Sequence, residues 1–474
     1  MGNEVVLIII VLLIGFYMAW NIGANDVANA MGTSVGSKAL TLRKAVIIAA
    51  ILEFSGAYFV GGNVSQTMQS DLINVAAFAP DPKTLIYGMC GALLGTGIWL
   101  QIASYFGLPV STTHAIIGAI IGFGALTLGF AGVQWGMMGS IGLSWIVSPV
   151  LSGFISYLIF SLLQKKILFA LNPTLATKRF IPILLFFVFG SFSISLLYNG
   201  LGRIDLHLSV PQALLISILC GAIACGIGFI VVKRLHTPDT AKEPASRYLP
   251  FKLISLEKAI KHLRRVRTGS IDETNIKITG LLDEMHSLKR GMREKTKFPE
   301  RTSEYDRVEK AFASMQIISA CFVAFAHGAN DVANAIAPVA AVLKTIKSGV
   351  LSTSTQVPSW LLAFGGVGIV VGLATWGWRV IETIGRKITE LTPTRGFSAE
   401  FGAAITILLA SKIGLPISTT HCLVGSVLGV GLARGIRALN LRMLREIALS
   451  WVITIPASAG ISILCYYGLR AILD

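Results

Sequence analysis

Apolar runs of about twenty residues recur along nearly the whole chain and are separated by short polar gaps. A helix needs about twenty apolar residues to cross ~30 Å of hydrocarbon. The pattern therefore predicts an all-α membrane protein with about twelve transmembrane segments. The predicted segments are 4–23, 45–63, 84–106, 112–130, 137–164, 180–200, 211–233, 313–343, 358–378, 398–413, 417–434 and 444–470.

Two pairs of segments are joined only by a Gly-Leu-Pro turn, namely 84–106 with 112–130 and 398–413 with 417–434. Each pair is predicted to be either two crossings or one re-entrant hairpin. Both arrangements return the chain to the side that it left. The predicted topology is therefore the same for either one.

Composition agrees with the membrane class. Of the 474 residues, 54% are hydrophobic and 14% are charged, whereas a soluble domain carries about 25% charged residues. The net charge of +16 does not indicate nucleic acid, because 19 of the 40 basic residues and 12 of the 24 acidic ones are interspersed between residues 233 and 310. The bilayer is the expected partner, and no nucleic acid is expected.

The remaining Lys and Arg residues predict the orientation. Outside the long central loop, fifteen lie in gaps on one side of the membrane and five on the other. Because the positive side is cytoplasmic, both termini are predicted outside, in a multi-pass protein of the cytoplasmic (inner) cell membrane. Residues 234–312 are the one break in composition. They are predicted to form a cytoplasmic helical insert between a first membrane half, 1–233, and a second, 313–474.

Two strings occur twice. The octet GANDVANA stands at 23–30 and 328–335, and Gly-Leu-Pro-Val/Ile-Ser-Thr-Thr-His stands at 107–114 and 414–421. Seven predicted segments precede the second octet, so the second copy enters the membrane from the opposite side. The chain is therefore predicted to contain two inverted-topology repeats, a device that transporters use to expose one central site alternately to each side.

The octets carry acids within apolar segments. A carboxylate there costs about 2.5–3.5 kcal/mol on insertion scales and indicates function. The Gly-Ala-Asn-Asp string can also break a helix and free carbonyl groups for a cation. Glu53 and Glu400 are further acids at apolar positions, opposite Ile369 and Leu93 rather than opposite each other. The predicted cation ligands are Asn25, Asp26, Asn330, Asp331, Glu53 and Glu400.

The Pro-x-Ser-Thr-Thr strings predict helix starts, because Ser and Thr cap helices. The N-terminus of a helix carries about half a positive charge and free N–H groups, which suit an anion. The predicted anion ligands are Ser111, Thr112, Thr113, Ser418, Thr419 and Thr420. Weaker candidates are Thr67, Thr383, His114 and His421. When the two copies are aligned, His327 corresponds to Ile22, so it falls outside the symmetric set.

Four intramembrane acids and a bound anion cannot share a low-dielectric site without compensating charge. Lys412 is the only basic candidate at a segment end, so bound cations are expected, together with coupled transport. No cofactor is expected. A sulfate transporter, a channel and a membrane-embedded phosphotransferase using His114 or His421 remain alternatives. An enzyme would need a nucleophile or metal set with an orienting group, and none is evident.

At both repeated strings the sequence resembles the PiT family of inorganic phosphate transporters. The resemblance covers both membrane halves and implies phosphate uptake driven by sodium or protons, through a site lined by both repeats. The octet followed by Gly32, Thr33 and Ser34 resembles the sodium-coupled members. The second copy has Ala337, Pro338 and Val339 there, which implies that the two halves are not equivalent. Because the family includes sulfate carriers, the anion stays open, as does a homodimer.

Overall fold

The structure is a computed structural model of the chain. It describes residues 2–62, 72–170, 172–199, 208–233, 249–268, 273–295, 303–348, 357–381, 391–435 and 439–473. Among these residues no β-strand forms, and a single β-bridge joins Ile73 to Val133. The prediction of an all-helical protein is confirmed for this part of the chain.

Within the described residues, each of the twelve predicted segments overlaps an α-helix, and two more helices lie in the central insert. In chain order the helices are α1 Gly2–Gly36, α2 Leu42–Val60, α3 Pro82–Tyr105, α4 Thr112–Leu128, α5 Trp135–Leu163, α6 Pro173–Asn199, α7 Val210–Lys233, α8 Leu249–Thr268, α9 Glu273–Lys295, α10 Ser303–Ser348, α11 Ser359–Trp376, α12 Pro393–Lys412, α13 Thr419–Arg434 and α14 Leu441–Leu473.

Eight helices of the described chain are long and apolar enough to cross a membrane: α1, α3, α5, α6, α7, α10, α11 and α14. The segments predicted at 45–63, 112–130, 398–413 and 417–434 correspond to α2, α4, α12 and α13, which are shorter or more polar. The chain is thus a multi-pass membrane protein, and the number twelve stays a prediction.

The helices fall into two compact units. The first contains residues 1–161, 185–224 and 312–474, and the second contains 162–184 and 225–311. In the second unit α8 and α9 pack as a hairpin around Ile260, Ile278 and Leu282. An ion pair of 2.8 Å between Lys289 and Glu257 joins the two helices.

The Gly-Leu-Pro turns of the first unit have the same conformation in both copies. Gly107 and Gly414 have φ of 65° and 68°, which an L-residue with a side chain rarely adopts. Leu108 N–H donates to the Ala103 carbonyl, and Leu415 N–H makes the equivalent bond to the Ala410 carbonyl. These bonds close the ends of α3 and α12 as Schellman motifs, so the chain reverses sharply before the Ser-Thr-Thr strings.

The octets do not break their helices. α1 continues from Gly2 to Gly36 and α10 from Ser303 to Ser348, so the prediction of a broken helix is wrong. The octet glycines serve close packing instead. A Cβ atom on Gly23 would lie 1.9 Å from the Ile369 carbonyl oxygen, and one on Gly328 would lie 2.1 Å from that of Glu53.

The reciprocal contacts are equally close, which gives a first prediction. A Cβ atom on Gly372 would lie 1.8 Å from the Trp20 carbonyl oxygen. The Gly372→Ala substitution is therefore expected to lower the free energy of unfolding by about 1–3 kcal/mol, as overpacking does. The loss is measured as a decrease in the thermal unfolding midpoint of the protein in detergent.

Gly139→Ala is the matched control, because Gly139 lies within a helix and a Cβ atom there would meet nothing within 4 Å. It is expected to be neutral, or stabilising by up to ~1 kcal/mol through helix propensity. Equal midpoints for the two variants would contradict close packing at Gly372.

Candidate functional site

The octets bring their two aspartates together. One ligand atom from each of Asp26, His327 and Asp331 lies within 4.8 Å of the others, and all three side chains are buried. We call this group the aspartate centre. It joins α1 and α10, so residues 305 positions apart in the sequence contribute to one site.

His327 links the aspartate centre to Glu53. Its Nε2 atom lies 2.9 Å from Asp331 Oδ2, and its Nδ1 atom lies 3.3 Å from Glu53 Oε1. All three side chains are fully buried. The imidazole thus bridges two acids from α2 and α10, whereas Ile22 occupies its position in the first copy. Sequence symmetry alone had placed His327 outside the site.

The Ser-Thr-Thr strings begin α4 and α13, as predicted. Ser111 is the N-cap of α4, and its hydroxyl accepts a bond of 3.2 Å from the His114 N–H. Ser418 caps α13 in the same way, accepting from the His421 N–H at 3.2 Å. The N–H groups of the two threonines between each cap and its histidine belong to the first turn, where helix geometry supplies no carbonyl acceptor. Two helix N-termini therefore reach the site.

Threonine hydroxyls tie these N-termini to the aspartates. Thr112 Oγ1 donates to Asp26 Oδ2 at 2.6 Å, and Thr419 Oγ1 donates to Asp331 Oδ2 at 2.9 Å. The following threonines cross between the strings: Thr113 donates to the Ile417 carbonyl and Thr420 to the Val110 carbonyl, both at 3.1 Å. The two helix starts are thereby held next to each other and next to both aspartates.

The second asparagine of each octet also crosses between the copies. Asn29 Nδ2 donates to Thr420 Oγ1 at 2.8 Å. Asn334 Nδ2 donates to Thr113 Oγ1 at 3.3 Å. Sequence reasoning missed both residues. Their position three residues after each aspartate, on the same helix face, was the signal that could have found them.

The first asparagine of each octet holds a hairpin turn. Asn25 Nδ2 donates to Ser104 Oγ at 2.9 Å, and Asn25 Oδ1 accepts from the Val110 N–H at 3.3 Å. Asn330 Nδ2 makes the corresponding contact with Ser411 Oγ at 3.1 Å. Each amide oxygen has two lone pairs, so positioning the turn leaves Asn25 Oδ1 one lone pair for another ligand.

His114 and His421 lie one turn farther along α4 and α13 and face each other. Their ring centroids are 4.3 Å apart, with the planes at 76°. The His114 ring lies 3.8 Å from Trp145, and the His421 ring lies 3.6 Å from Trp451. The structure therefore places both histidines in a buried aromatic packing contact. The other weak candidates, Thr67 and Thr383, lie outside the described residues.

Glu400 lies in a separate polar group. Its Oε1 atom accepts from Thr33 Oγ1 at 2.5 Å, Ser34 Oγ at 2.7 Å and Gln316 Nε2 at 3.1 Å. Its Oε2 atom accepts from Ser319 Oγ at 2.5 Å. We call these five residues, all fully buried, the glutamate cluster. Thr33 follows Asp26 by seven residues, which is about 10 Å along the helix, so the cluster is distinct from the aspartate centre.

Comparisons with known proteins identify the family of the chain. The profile of the phosphate transporter family matches residues 22–462. A Chlamydia pneumoniae protein named as a phosphate permease is 46% identical over 466 residues, which are 98% of this chain and 99% of that protein. The inorganic phosphate transporter 2-1, chloroplastic, of Arabidopsis thaliana is 43% identical over 457 residues, which are 96% of this chain and 70% of that protein.

One solved structure, of a protein described as the sodium-dependent phosphate transporter, matches with a TM-score of 0.79 at 35% identity. The match covers 98% of this chain and 100% of that one. By name these relatives are transporters and permeases, which supports the prediction of a transporter rather than an enzyme. On the family profile and the full-length relatives, the chain belongs to the phosphate transporter family.

Proposed function

We propose that the protein imports inorganic phosphate together with cations, sodium in preference to protons, by alternating access. One observation carries the proposal. Two aspartates from separate copies of one motif share a buried centre with two helix N-termini. Acids attract cations and helix N-termini attract anions, so one pocket suits both ions of a cotransporter.

The charge balance supports coupling. Asp26, Asp331 and Glu53 are fully buried, and in this environment three carboxylates and a phosphate repel one another strongly. His327 offsets at most one negative charge. Cations must therefore bind before or with the anion. Sodium is favoured because the matching solved structure is of a sodium-dependent transporter and because hard cations prefer oxygen ligands.

Roles are assigned to the residues on this basis. For phosphate, the first-turn N–H groups of α4 and α13 are donors. Because each hydroxyl donates one hydrogen bond, the threonine hydroxyls join them when phosphate replaces the acceptors that they contact here. The hydroxyl donors are those of Ser111, Thr112, Thr113, Ser418, Thr419 and Thr420. Asn29 and Asn334, which already contact these hydroxyls, join them. For the cations, Asp26 and Asp331 are the principal ligands, supported by Asn25, Asn330 and Glu53. Glu400 forms a second cation site in the glutamate cluster.

Alternating access follows from the inverted repeat. The hydrogen bonds of the site come in matched pairs, such as Thr112–Asp26 with Thr419–Asp331 and Asn25–Ser104 with Asn330–Ser411. Such pairs are expected for two repeats related by an axis in the membrane plane. Exchange of the two conformations would then expose the same centre first outside and then inside.

The function is tested by uptake of radiolabelled phosphate into proteoliposomes, with sodium and pH gradients imposed separately. We expect uptake to follow the inward sodium gradient and to fall when unlabelled phosphate, but not sulfate, is added. Uptake driven only by the pH gradient would show that protons, and not sodium ions, are the coupled cations. Full competition by sulfate would make the protein a sulfate carrier, and an ohmic phosphate current without either gradient would make it a channel.

The threonine hydroxyls give a second prediction. Thr112→Ala is expected to raise the half-saturation concentration for phosphate about ten-fold or more, because a hydrogen bond to a charged group is worth about 1.5–3 kcal/mol. The maximal rate should persist, since backbone N–H donors remain. Thr419→Ala is the matched variant in the other copy, and we expect an effect of similar size. Unchanged phosphate affinity in both folded variants would place the substrate elsewhere.

A further inference from the structure

We infer that five apolar residues, Val11, Ile14, Leu93, Val339 and Val342, form an outer gate that excludes water and ions from the aspartate centre. We call them the apolar plug. The inference rests on the proposed function, because it assigns the side of the membrane on which the transport site is sealed.

The apolar plug is the counterpart of the glutamate cluster in the other copy. The octets are offset by 305 residues and the Ser-Thr-Thr strings by 307. With these offsets Gln316 corresponds to Val11, Ser319 to Ile14 and Ser34 to Val339. Ser37, which donates to Gln316 Oε1 at 2.6 Å, corresponds to Val342, and Glu400 corresponds to Leu93. Four of the five cluster members, together with Ser37 beside them, are thus replaced by aliphatic residues, and the fifth member, Thr33, corresponds to Pro338.

The structure places these two groups at opposite ends of the α1–α10 pair. Beyond Asp26, Thr33 and Ser34 of α1 meet Gln316 and Ser319 of α10 through the Glu400 carboxylate. Before Asp26, α1 meets the part of α10 that follows Asp331, because a Cβ atom on Gly15 would lie 2.5 Å from Val339 Cγ2. The helices therefore run antiparallel, with the aspartate centre between a polar end and an apolar end.

The apolar end is tightly closed. All five plug residues belong to one continuous cluster of buried apolar side chains, in which Ile14 is the most exposed of the five at 8%. A constriction lined by such groups holds no stable water and blocks ions by dewetting. At the polar end, by contrast, hydroxyl, amide and carboxylate groups can exchange their mutual hydrogen bonds for bonds to water or to a cation.

The basic residues assign the sides. Lys38, Arg43 and Lys44 follow the polar end of α1, which by the distribution of positive charge faces the cytoplasm. The apolar plug then faces outside. An ion at the aspartate centre would then meet buried polar groups toward the cytoplasm and only aliphatic side chains toward the exterior. The asymmetry makes release to the cytoplasm easier than return to the exterior.

The test is thiol labelling in intact cells. Met18, fully buried one turn beyond Ile14 on the path to Asp26, is replaced by cysteine in a variant lacking the six native cysteines. A membrane-impermeant thiol reagent is then added outside. Val339→Thr with Val342→Thr keeps the side-chain shapes but adds two hydroxyls. We expect Met18→Cys to be labelled at least ten times faster in this variant than in the unmodified plug.

Val5→Thr with Val6→Thr is the matched control, since both valines lie on α1 and are more than half exposed. It should leave the labelling rate unchanged. If the double variant is unstable, Val339→Thr alone supplies the same comparison. Equal labelling with and without the plug hydroxyls would overturn the gate. In inside-out membrane vesicles the reagent reaches the cytoplasmic face, and faster labelling there alone would overturn the assigned side. Labelling needs no phosphate, so failed phosphate uptake would refute the proposed function without deciding the gate.

Discussion

Replacing Asp26 by asparagine is expected to reduce sodium-driven phosphate uptake at least a hundredfold. Asp26 is fully buried beside Asp331, and its Oδ2 atom accepts a hydrogen bond from Thr112. Asparagine has the same shape and can still accept that bond, but it carries no charge. A hundredfold loss corresponds to about 2.7 kcal/mol, a modest part of what a buried charge contributes to holding a cation.

The empty protein should not lose stability. Asp26, Asp331 and Glu53 are buried acids with one imidazole among them, so removing one negative charge relieves repulsion in the absence of cations. The unfolding midpoint of Asp26→Asn without sodium should therefore equal or exceed that of the parent. Added sodium stabilises a protein that binds it, and this rise in midpoint should be lost in the variant.

Asp81→Asn is the control, because Asp81 is an exposed acid that precedes α3 and accepts a bond from Thr84. It should keep both uptake and the sodium effect on the midpoint. Asp331→Asn should also lose coupling, and it leaves His327 without its nearer carboxylate. Full uptake with an unchanged sodium requirement in both aspartate variants would remove the aspartate centre from coupling.

The helices could be predicted because bilayer thickness fixes their length and because Gly-Leu-Pro and Ser-Thr-Thr are local stop and start signals. The Schellman bonds at Gly107 and the cap bond at Ser111 join residues that are close neighbours in the sequence. The same holds for Gly414 and Ser418 in the second copy. Such features follow from backbone geometry within a few residues, so they can be predicted from the sequence without knowledge of the fold.

The octet glycines were misjudged for a non-local reason. Gly23 and Gly328 looked like helix breakers, but each one faces the backbone of another helix, at Ile369 and Glu53 respectively. Small residues let membrane helices approach closely. Whether a glycine breaks a helix or packs against one depends on its neighbour in space, which the octet itself does not contain.

Comparison of the two repeats identified the site residues that occur in both copies and missed those that occur in only one. Comparing the two copies singled out Asp26, Asp331 and the threonines, because each has a twin. The same comparison discounted His327, whose twin is Ile22, although its ring lies between Glu53 and Asp331. The two glutamates that have no counterpart in the other copy therefore belong to different groups. Glu53 contacts the aspartate centre through His327, and Glu400 lies in the glutamate cluster.

Replacing Glu400 by glutamine is expected to raise the half-saturation concentration for sodium at least ten-fold. The Glu400 carboxylate accepts hydrogen bonds from four buried side chains of two other helices, α1 and α10. The same oxygens can bind a cation that leaves the aspartate centre toward the polar end. Glutamine keeps one acceptor oxygen but loses the charge, and a ten-fold change in affinity corresponds to about 1.4 kcal/mol.

Two comparisons separate a cation site from a structural hydrogen-bonding hub. Glu400→Asp keeps the charge on a shorter side chain, so its sodium requirement should stay closer to that of the parent. Glu446→Gln removes an exposed acid that pairs with Arg442 at 3.2 Å, and it should change nothing.

Sodium titrations of initial uptake rates give the answer. If Glu400 binds a cation, uptake by Glu400→Gln should recover at high sodium concentration, because mass action offsets a weaker site. If the carboxylate only organises Thr33, Ser34, Gln316 and Ser319, added sodium cannot restore the lost contacts. A lower maximal rate with an unchanged sodium midpoint would then assign the glutamate cluster to packing alone, and the coupled cations would bind at the aspartate centre only.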